Sequence, residues 1–286
     1  MKVLLTGANG YLGGYVKDEL AQNHIEYESI SYKDLQDWDL ERIAAFLINS
    51  GISDIIHLAA AVGEREAGEL YESNIMMLYT LLCASREAKV KNFVFASGNN
   101  VYSCKRDKGA LEEEACEPES KNQYGVSKYV GECLIENYCK SWNMGYAIVR
   151  IADIYGPKQK TGNLMKALVR SAASGQSLKL YGEGIRKRDY IYVTDVAKGM
   201  IHICQNRIQG KINLGTGIAT SVKELVLIAK ECSDNRCDIE KIAVDKEDTS
   251  SIYLNIDKLE DSGFHPKVLI QQGIKMCIEE EKKWMN

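Results

Sequence analysis

The sequence predicts an α/β protein with a doubly wound parallel sheet and a smaller α/β region towards the C-terminus. Short apolar runs alternate with helical patterns through residue 151, the first run ends in a glycine-rich turn, and the texture changes after Pro157. Strands that alternate with helices form parallel sheets covered on both faces. Right-handed crossovers then place ligands at the carboxyl ends of the strands.

The N-terminal segment carries the strongest local pattern. Residues 2–6 form an apolar run of strand length, glycines follow at positions 7, 10 and 13, and Leu12, Val16 and Leu20 then recur every four residues. A helix N-terminus offers unpaired amides, and glycine lets a pyrophosphate approach the backbone. The spacing differs from the G-x-G-x-x-G dinucleotide fingerprint, so alone it also fits a tight turn before a packed helix.

The remaining elements follow in order. We predict further strands at 27–32, 54–60, 91–97 and 146–151, helices through 46–47 and over 70–89 and 124–142, and a surface loop over 104–122. Beyond Pro157 we predict helices at 163–174, 194–205, 221–232 and 270–285, and strands at 178–181 and 189–193. The expected domains are a dinucleotide-binding domain over 1–156, to which 189–213 returns, and a mainly substrate-binding domain over 157–286.

Composition narrows the classes of function. The net charge of −4 and the lack of a long basic block argue against nucleic acid as the main partner. Nine cysteines without a C-x-x-C pair, and only four histidines, give no metal-site spacing. No apolar run approaches ~20 residues and no signal-peptide pattern is present, so we expect a cytoplasmic protein with reduced thiols and no membrane contact.

Tyr124 and Lys128 form the sharpest chemical pair. Residues four apart share one helix face. An ammonium beside a phenol lowers the phenol pKa from about 10 towards neutrality, which makes a general acid or base for alcohol–ketone interconversion. Taken alone, the pair also fits an ordinary solvated helix face.

With the motifs around it, the pair resembles the extended short-chain dehydrogenase/reductase family, which includes nucleotide-sugar epimerases, dehydratases and ketoreductases. The motifs that carry the resemblance span about residues 1–265: Thr6-Gly-Ala-Asn-Gly-Tyr-Leu-Gly13, His57-Leu-Ala-Ala60, Asn74, Phe93-Val-Phe-Ala-Ser97 with Val101-Tyr102, Tyr124-x-x-x-Lys128, Arg150 with Tyr155-Gly-Pro157, Arg188-Asp-Tyr-Ile-Tyr-Val193 with Asp195, and Asn213-Leu-Gly-Thr-Gly217. The resemblance implies a Rossmann-type fold that binds NAD(P).

The resemblance also implies site roles. Tyr124 would be the acid/base, and Lys128 would tune it and bind the nicotinamide ribose. The residues implied to line the cofactor are Gly7, Asn9, Gly10, Tyr11, Leu12, Ser31, Lys33, Asp39, Leu40, Leu58, Ala59, Ala60, Asn74, Ser97, Tyr124, Lys128 and Ile151. Those implied to bind substrate are Arg188 at a diphosphate, Tyr181 and Asn163 at the nucleotide, and Asp153 at sugar hydroxyls, with Lys246 as the nearest match to a second cation.

Three departures from the family pattern affect the chemistry. The family's Ser or Thr that hydrogen-bonds the reacting oxygen is Gly98 here, which leaves Asn99, Ser97 or a water as replacements. Asn99-Asn100 stands where many 4,6-dehydratases carry Asp-Glu, and amides cannot exchange protons as a carboxyl pair does. Asp153 replaces an Asn that contacts substrate, and a carboxylate would repel a diphosphate.

Cofactor choice depends on the residues after the second strand, where an acid suits NAD and a base suits NADP. Ser31 and Lys33 precede the first acid, Asp34, so NADP is slightly favoured. The predicted function is an NAD(P)-dependent epimerase or 4-ketoreductase acting on a nucleotide-linked sugar. The alternative is a catalytically weak dinucleotide-binding scaffold or sensor, motivated by Gly98. We also expect a homodimer through the helices over 70–89 and 124–142.

Overall fold

The computed structural model describes the chain except residues 63–65, 105–107, 115, 117, 119–121, 160–163, 235 and 286. The described strands are β1 (Lys2–Thr6), β2 (Glu26–Ile30), β3 (Asp54–His57), β4 (Asn92–Gly98), β5 (Gly145–Ile151), β6 (Asp153–Tyr155), β7 (Leu178–Tyr181), β8 (Lys187–Arg188), β9 (Tyr190–Tyr192), β10 (Gly210–Leu214), β11 (Thr220–Ser221), β12 (Ile239–Ile242) and β13 (Ser251–Ile252). The described helices are α1 (Tyr11–Gln22), α2 (Tyr32–Asp37), α3 (Leu40–Asn49), α4 (Ala67–Tyr71), α5 (Met77–Glu87), α6 (Gln123–Ser141), α7 (Leu164–Ser174), α8 (Val193–Gln205), α9 (Val222–Cys232), α10 (Asp257–Asp261) and α11 (Ile270–Met285).

The main sheet is parallel, with the strand order β2-β1-β3-β4-β5-β10. The chain passes from β1 to β2 on one side and then crosses to β3 on the other side. The connections that leave β1 and β3 therefore run in opposite directions, which makes the edge between these strands a topological switch point, where open α/β sheets bind ligands. The predicted doubly wound fold class is confirmed.

Side-chain alternation in β1 builds both layers of the core. Val3 and Leu5 belong to a buried cluster shared with α1 and α8, whereas Leu4 belongs to a second cluster shared with α3 and α5. Successive strand residues point to opposite faces, so one apolar strand supports helices on both sides of the sheet.

The long helix predicted over 70–89 is interrupted. A π-helical turn, Glu72–Met76, separates α4 from α5. Within it, Asn74 accepts from the amide of Ala61 at 2.7 Å and donates to the Ala61 carbonyl at 3.1 Å and to Ser127 Oγ at 3.0 Å. Such wide turns are common at functional sites. Here the turn ties the loop after β3 to α6.

The C-terminal lobe has its own apolar core, formed by α7, α9 and α11 around the parallel pair β7–β12. Strand β12 was not predicted, because its two central residues, Glu240 and Lys241, are polar and exposed. The described part of the loop predicted over 104–122 is not wholly at the surface. Ala110 is buried and bridges to Leu254, because this segment packs against the chain after β13.

In the described part of the chain, no helix combines the length and apolar composition needed to cross a bilayer.

Candidate active site

The loops after β1 and β3 meet at the carboxyl edge of the sheet. Gly7 has a positive φ of 72°, and a Cβ there would lie 2.7 Å from the amide nitrogen of Ala59. Helix α1 starts directly after this loop, and its N-cap, Gly10, supplies no capping side chain. The first-turn amides are therefore left for an external acceptor, which fits the pyrophosphate of a dinucleotide.

The other residues expected at the cofactor lie around this edge. Asn9, Tyr11 and Leu12 are in the turn and the start of α1, and Leu58, Ala59 and Ala60 follow β3 directly. Ile151 is buried at the end of β5, and Asn74 holds the loop after β3. Asp39 caps α3 by accepting from the amide of Arg42 at 2.8 Å, and Leu40 is the first residue of that helix.

At the end of β2, the carboxylate of Asp34 is hydrogen-bonded to Ser31. Ser31 caps α2, and its hydroxyl donates to Asp34 Oδ2 at 2.6 Å. Hydrogen bonds from Ser31 lower the pKa of Asp34, so this carboxyl is ionised at neutral pH. Lys33 is exposed. The hydroxyl expected to receive a phosphate is thus bonded to a carboxylate.

Tyr124 and Lys128 lie in the first two turns of α6. Asn122 fixes the start of the helix by accepting from the amide of Gly125 at 2.9 Å. Lys128 is only 2% exposed, and its ammonium donates to the Ala96 carbonyl at 2.8 Å. The ammonium lies 5.7 Å from the centre of the Tyr124 ring. The predicted pair therefore shares one helix face.

The expected lowering of the Tyr124 pKa towards neutrality is wrong. Burial raises the pKa of Tyr124 to about 12. Burial also lowers the pKa of Lys128 to about 8, against a smaller opposing effect of Glu132. Desolvation disfavours both charged forms, and at 5.7 Å the ammonium does not reverse this for the phenol.

The Ser97 side chain is buried and hydrogen-bonded within the protein. Its hydroxyl donates to Glu132 Oε1 at 2.6 Å, and Glu132 also accepts from Arg150. Arg150 further donates to Tyr102 Oη at 2.7 Å and to the Glu112 carbonyl at 3.2 Å. Ser97 therefore belongs to a buried network next to Lys128. The expectation that its hydroxyl donates to the substrate is wrong, because its proton is already donated to Glu132.

A polar cavity of about 660 Å³ opens beside the end of β4. Its described lining includes Asn99, Asn100, Asp153, Arg188 and Lys246. Asn99 donates to Asp153 Oδ1 at 3.0 Å, and burial raises the pKa of Asp153. The cavity therefore brings together two of the three departures from the family pattern, the Asn99-Asn100 pair and Asp153.

The expected substrate residues are divided among neighbouring pockets. Tyr181 is 55% exposed and lines an adjoining pocket with Lys246. Asn163 lies outside the described residues. Arg186 was missed, although alternation along the strand places it on the same side as Arg188. It lines both adjoining pockets, one with Asp153 and the other with Tyr181.

Comparison with known proteins identifies the family. Residues 3–215 match the model of the NAD-dependent epimerase/dehydratase family. The chain belongs to this family. Membership confirms the resemblance inferred from the motifs and makes the protein an enzyme of the epimerase/dehydratase family.

Relatives match along almost the whole chain. A putative UDP-glucose 4-epimerase of Methanocaldococcus jannaschii is 31% identical, over 99% of this chain and 98% of that protein. A dTDP-D-glucose 4,6-dehydratase of Bos taurus is 26% identical, over 97% of this chain and 88% of its own. The solved UDP-glucose 4-epimerase of Thermotoga maritima, with UDP-glucose, superposes with a TM-score of 0.87 at 25% identity over 100% of both chains.

Proposed function

We propose that this enzyme is an NAD-dependent 4-epimerase of a nucleotide-linked sugar. The observation that carries the proposal is the position of Tyr124 and Lys128 on one face of α6. Lys128 is bonded to the Ala96 carbonyl near the end of β4, and Asn122, just before α6, lines the polar cavity. The relatives named as 4-epimerases support this reaction over a 4-ketoreductase. Asn99 and Asn100 argue against dehydration, because neither amide can exchange a proton as a carboxyl does.

The reaction assigns one proton to Tyr124. NAD, when bound, supplies reversible acceptance of a hydride from C4 of the sugar. As C4 loses that hydride, the Tyr124 phenolate accepts the proton of the 4-hydroxyl, so the alcohol becomes a ketone with two electrons and one proton accounted for. Tyr124 would then give the proton back to the ketone oxygen when the hydride is returned to the opposite face of C4, and the product would be the 4-epimer. Lys128 favours the phenolate, and a cationic nicotinamide nearby would act in the same direction.

We propose NAD rather than the NADP that the sequence slightly favoured. The Asp34 carboxylate on Ser31 would repel a 2′-phosphate and can accept from a 2′-hydroxyl. Solved epimerases with this fold, such as that of Thermus thermophilus, are described with NAD (TM-score 0.85, 23% identity, 99% of both chains).

We propose that the diphosphate lies against Arg186 and Arg188. Guanidinium groups bind phosphate oxygens through paired donors. Asp153, held by Asn99 at 3.0 Å, would then accept from a sugar hydroxyl rather than face a phosphate.

The test uses purified protein without added cofactor. UDP-glucose, UDP-N-acetylglucosamine, UDP-glucuronate and dTDP-glucose are incubated separately, and the sugar anomeric signals are followed by proton NMR. We expect the 4-epimer of at least one sugar to form, and Tyr124→Phe to slow it about 10²–10⁴-fold. Full turnover by Tyr124→Phe would remove the assigned acid/base role.

The scaffold hypothesis is the second candidate, favoured by Gly98. It predicts that the protein binds NAD but that no nucleotide sugar reduces the bound NAD, as read by absorbance at 340 nm. Reduction by any of the four sugars contradicts it.

We also propose a homodimer through the outer faces of α5 and α6. Tyr79 on α5 and Tyr129 on α6 are both exposed, as is Met76 just before α5. Light scattering at micromolar concentration should give twice the chain mass of 32.0 kDa, and a value equal to the chain mass would exclude the dimer.

A further inference from the structure

Gly98 leaves a space that another side chain fills. Its φ of −147° is ordinary extended backbone, which any residue can adopt. A Cβ at position 98, however, would lie 2.8 Å from Asn100 Oδ1, whereas the nearest heavy atom outside Asn100 and the two flanking residues is the Ile151 carbonyl oxygen at 3.8 Å. The Asn100 amide therefore lies where a Ser or Thr side chain at position 98 would start.

The amide of Asn100 is available for a ligand. Its Oδ1 is buried and finds no hydrogen-bond partner among the residues that the structure describes. Asn100 also lines the polar cavity. A buried amide oxygen without a partner is unfavourable, because it has given up its hydrogen bond to water. A half-turn of the amide about its χ2 angle would put its NH₂ group in the same place, so the position can present a donor.

The neighbouring amide is less available. Asn99, which the sequence offered as a replacement donor, already donates to Asp153 at 3.0 Å. Asn100 is also fixed against the helix that carries Tyr124. Its carbonyl oxygen lies 2.6 Å from the position that a Cβ on Gly125 would take, so only glycine lets the two segments approach.

We propose that the side-chain amide of Asn100 replaces the missing hydroxyl and donates the hydrogen bond to the reacting sugar oxygen. The proposal rests on the proposed function, since it needs a sugar oxygen beside Tyr124. The proposal implies that a hydroxyl at position 98 and the Asn100 amide, as it now lies, cannot both occupy this space.

A double-variant series tests the proposal through reduction of bound NAD in a single turnover, with each sugar that the wild type accepts. Asn100→Ala should slow reduction about 10²–10³-fold, the usual loss for one such donor. Gly98→Ser alone should also slow it, because the new side chain meets Asn100. Gly98→Ser combined with Asn100→Ala should recover at least ~10-fold over Asn100→Ala, since the hydroxyl then has both space and position.

Two further variants control for folding and surface effects. Asn100→Asp keeps the side-chain shape without the N–H donor, so it should lose activity while its thermal unfolding stays near that of the wild type. Asn49→Ala, at an exposed position in α3, should react at the wild-type rate.

A binding measurement reads the contact without turnover. Wild-type protein should bind UDP-glucose more tightly than its 4-deoxy analogue, and Asn100→Ala should narrow this difference, with only the contact of Tyr124 to the 4-hydroxyl remaining. Wild-type reduction rates in Asn100→Ala, or no recovery in the double variant, would overturn this proposal alone. A wild type that neither binds nor is reduced by any of the nucleotide sugars would overturn the proposed function and this proposal with it.

Discussion

The guanidinium of Arg150 binds both carboxylate oxygens of Glu132 where neither side chain is accessible to water. Arg150 Nε lies 3.1 Å from Oε1 and Nη2 lies 2.7 Å from Oε2, with side-chain exposures of 0% and 2%. Glu132 is one helical turn beyond Lys128, so this ion pair lies directly beneath the proposed catalytic pair. Loss of one partner would leave a buried charge without compensation.

Replacement of Glu132 should therefore be costly. We expect Glu132→Gln to lower the free energy of unfolding by about 3–5 kcal/mol in urea denaturation at pH 7. Glu136, one turn further along α6, is the matched control because its pairs with Lys140 and Lys211 are partly exposed. Glu136→Gln should change stability by no more than about 1 kcal/mol. Equal effects of the two variants would show that Arg150 does not depend on Glu132.

Lys128 should reduce stability in a pH-dependent way. Its pKa is about 8 in the folded protein, against 10.5 for a lysine surrounded by water. Below pH 8 the folded state holds a buried ammonium at full cost. Between the two pKa values the unfolded state binds more protons, so stability rises with pH until the cost is gone.

Lys128→Met should consequently raise the free energy of unfolding by about 2–3 kcal/mol at pH 7 and by much less at pH 10. The same variant should lose activity, since Tyr124 loses its neighbouring cation. Lys140 is exposed on the same helix, so the free energy of unfolding of Lys140→Met should differ from that of the wild type by the same amount at pH 7 and at pH 10. A pH-independent gain for Lys128→Met would mean that the lysine has the same pKa in the folded and unfolded states, so that burial does not shift it.

The cofactor preference should depend on Asp34. We expect the wild type to bind NAD at least ~10-fold more tightly than NADP, because the carboxylate repels a 2′-phosphate. Asp34→Asn should narrow this ratio, as measured by calorimetric titration with both dinucleotides. Asp37→Asn, at the exposed end of α2, should leave the ratio unchanged. Tighter binding of NADP by the wild type would instead support the prediction from the sequence that Ser31 and Lys33 bind the 2′-phosphate.

The diphosphate contact can be tested within one strand. Arg188→Ala should weaken binding of UDP about 10–100-fold, since hydrogen bonds to charged groups are worth about 1.5–3 kcal/mol. Lys187 is exposed and alternates to the other side of β8, so Lys187→Ala is the matched control and should bind normally. A similar loss in both variants would indicate only general attraction by positive charge.

Local patterns in the sequence were sufficient for the fold class and for the pairing of Tyr124 with Lys128. Both depend on fixed periods, which are 2 in strands, 3.6 in helices and four residues between partners on a helix face. The sequence also identified Gly98 as a departure from the Ser or Thr of the family pattern. It could not show that Asn100 fills the same space, because that contact depends on how the chain turns after β4.

Burial was the main quantity that the sequence could not supply. The pKa of Tyr124 moves up rather than down because desolvation outweighs an ammonium 5.7 Å away. Ser97 has the residue type expected of a donor, but Glu132 accepts its proton from below. Identifying Arg186 did not depend on burial. Its spacing of two residues from Arg188 was visible in the sequence and would have been enough to predict it as a site residue.

The placement of β10 affects how the chain emerges from a ribosome. Strand β5 pairs with β10, yet β6, α7, β7, β8, β9 and α8 lie between them in the chain. Until residue 214 has been synthesised, the outer edge of β5 has no strand partner, although Ala147, Ile148 and Val149 are fully buried in the finished protein. Unpaired apolar edges attract other chains. During synthesis the edge of β5 is therefore a site at which aggregation can start until β10 has been made.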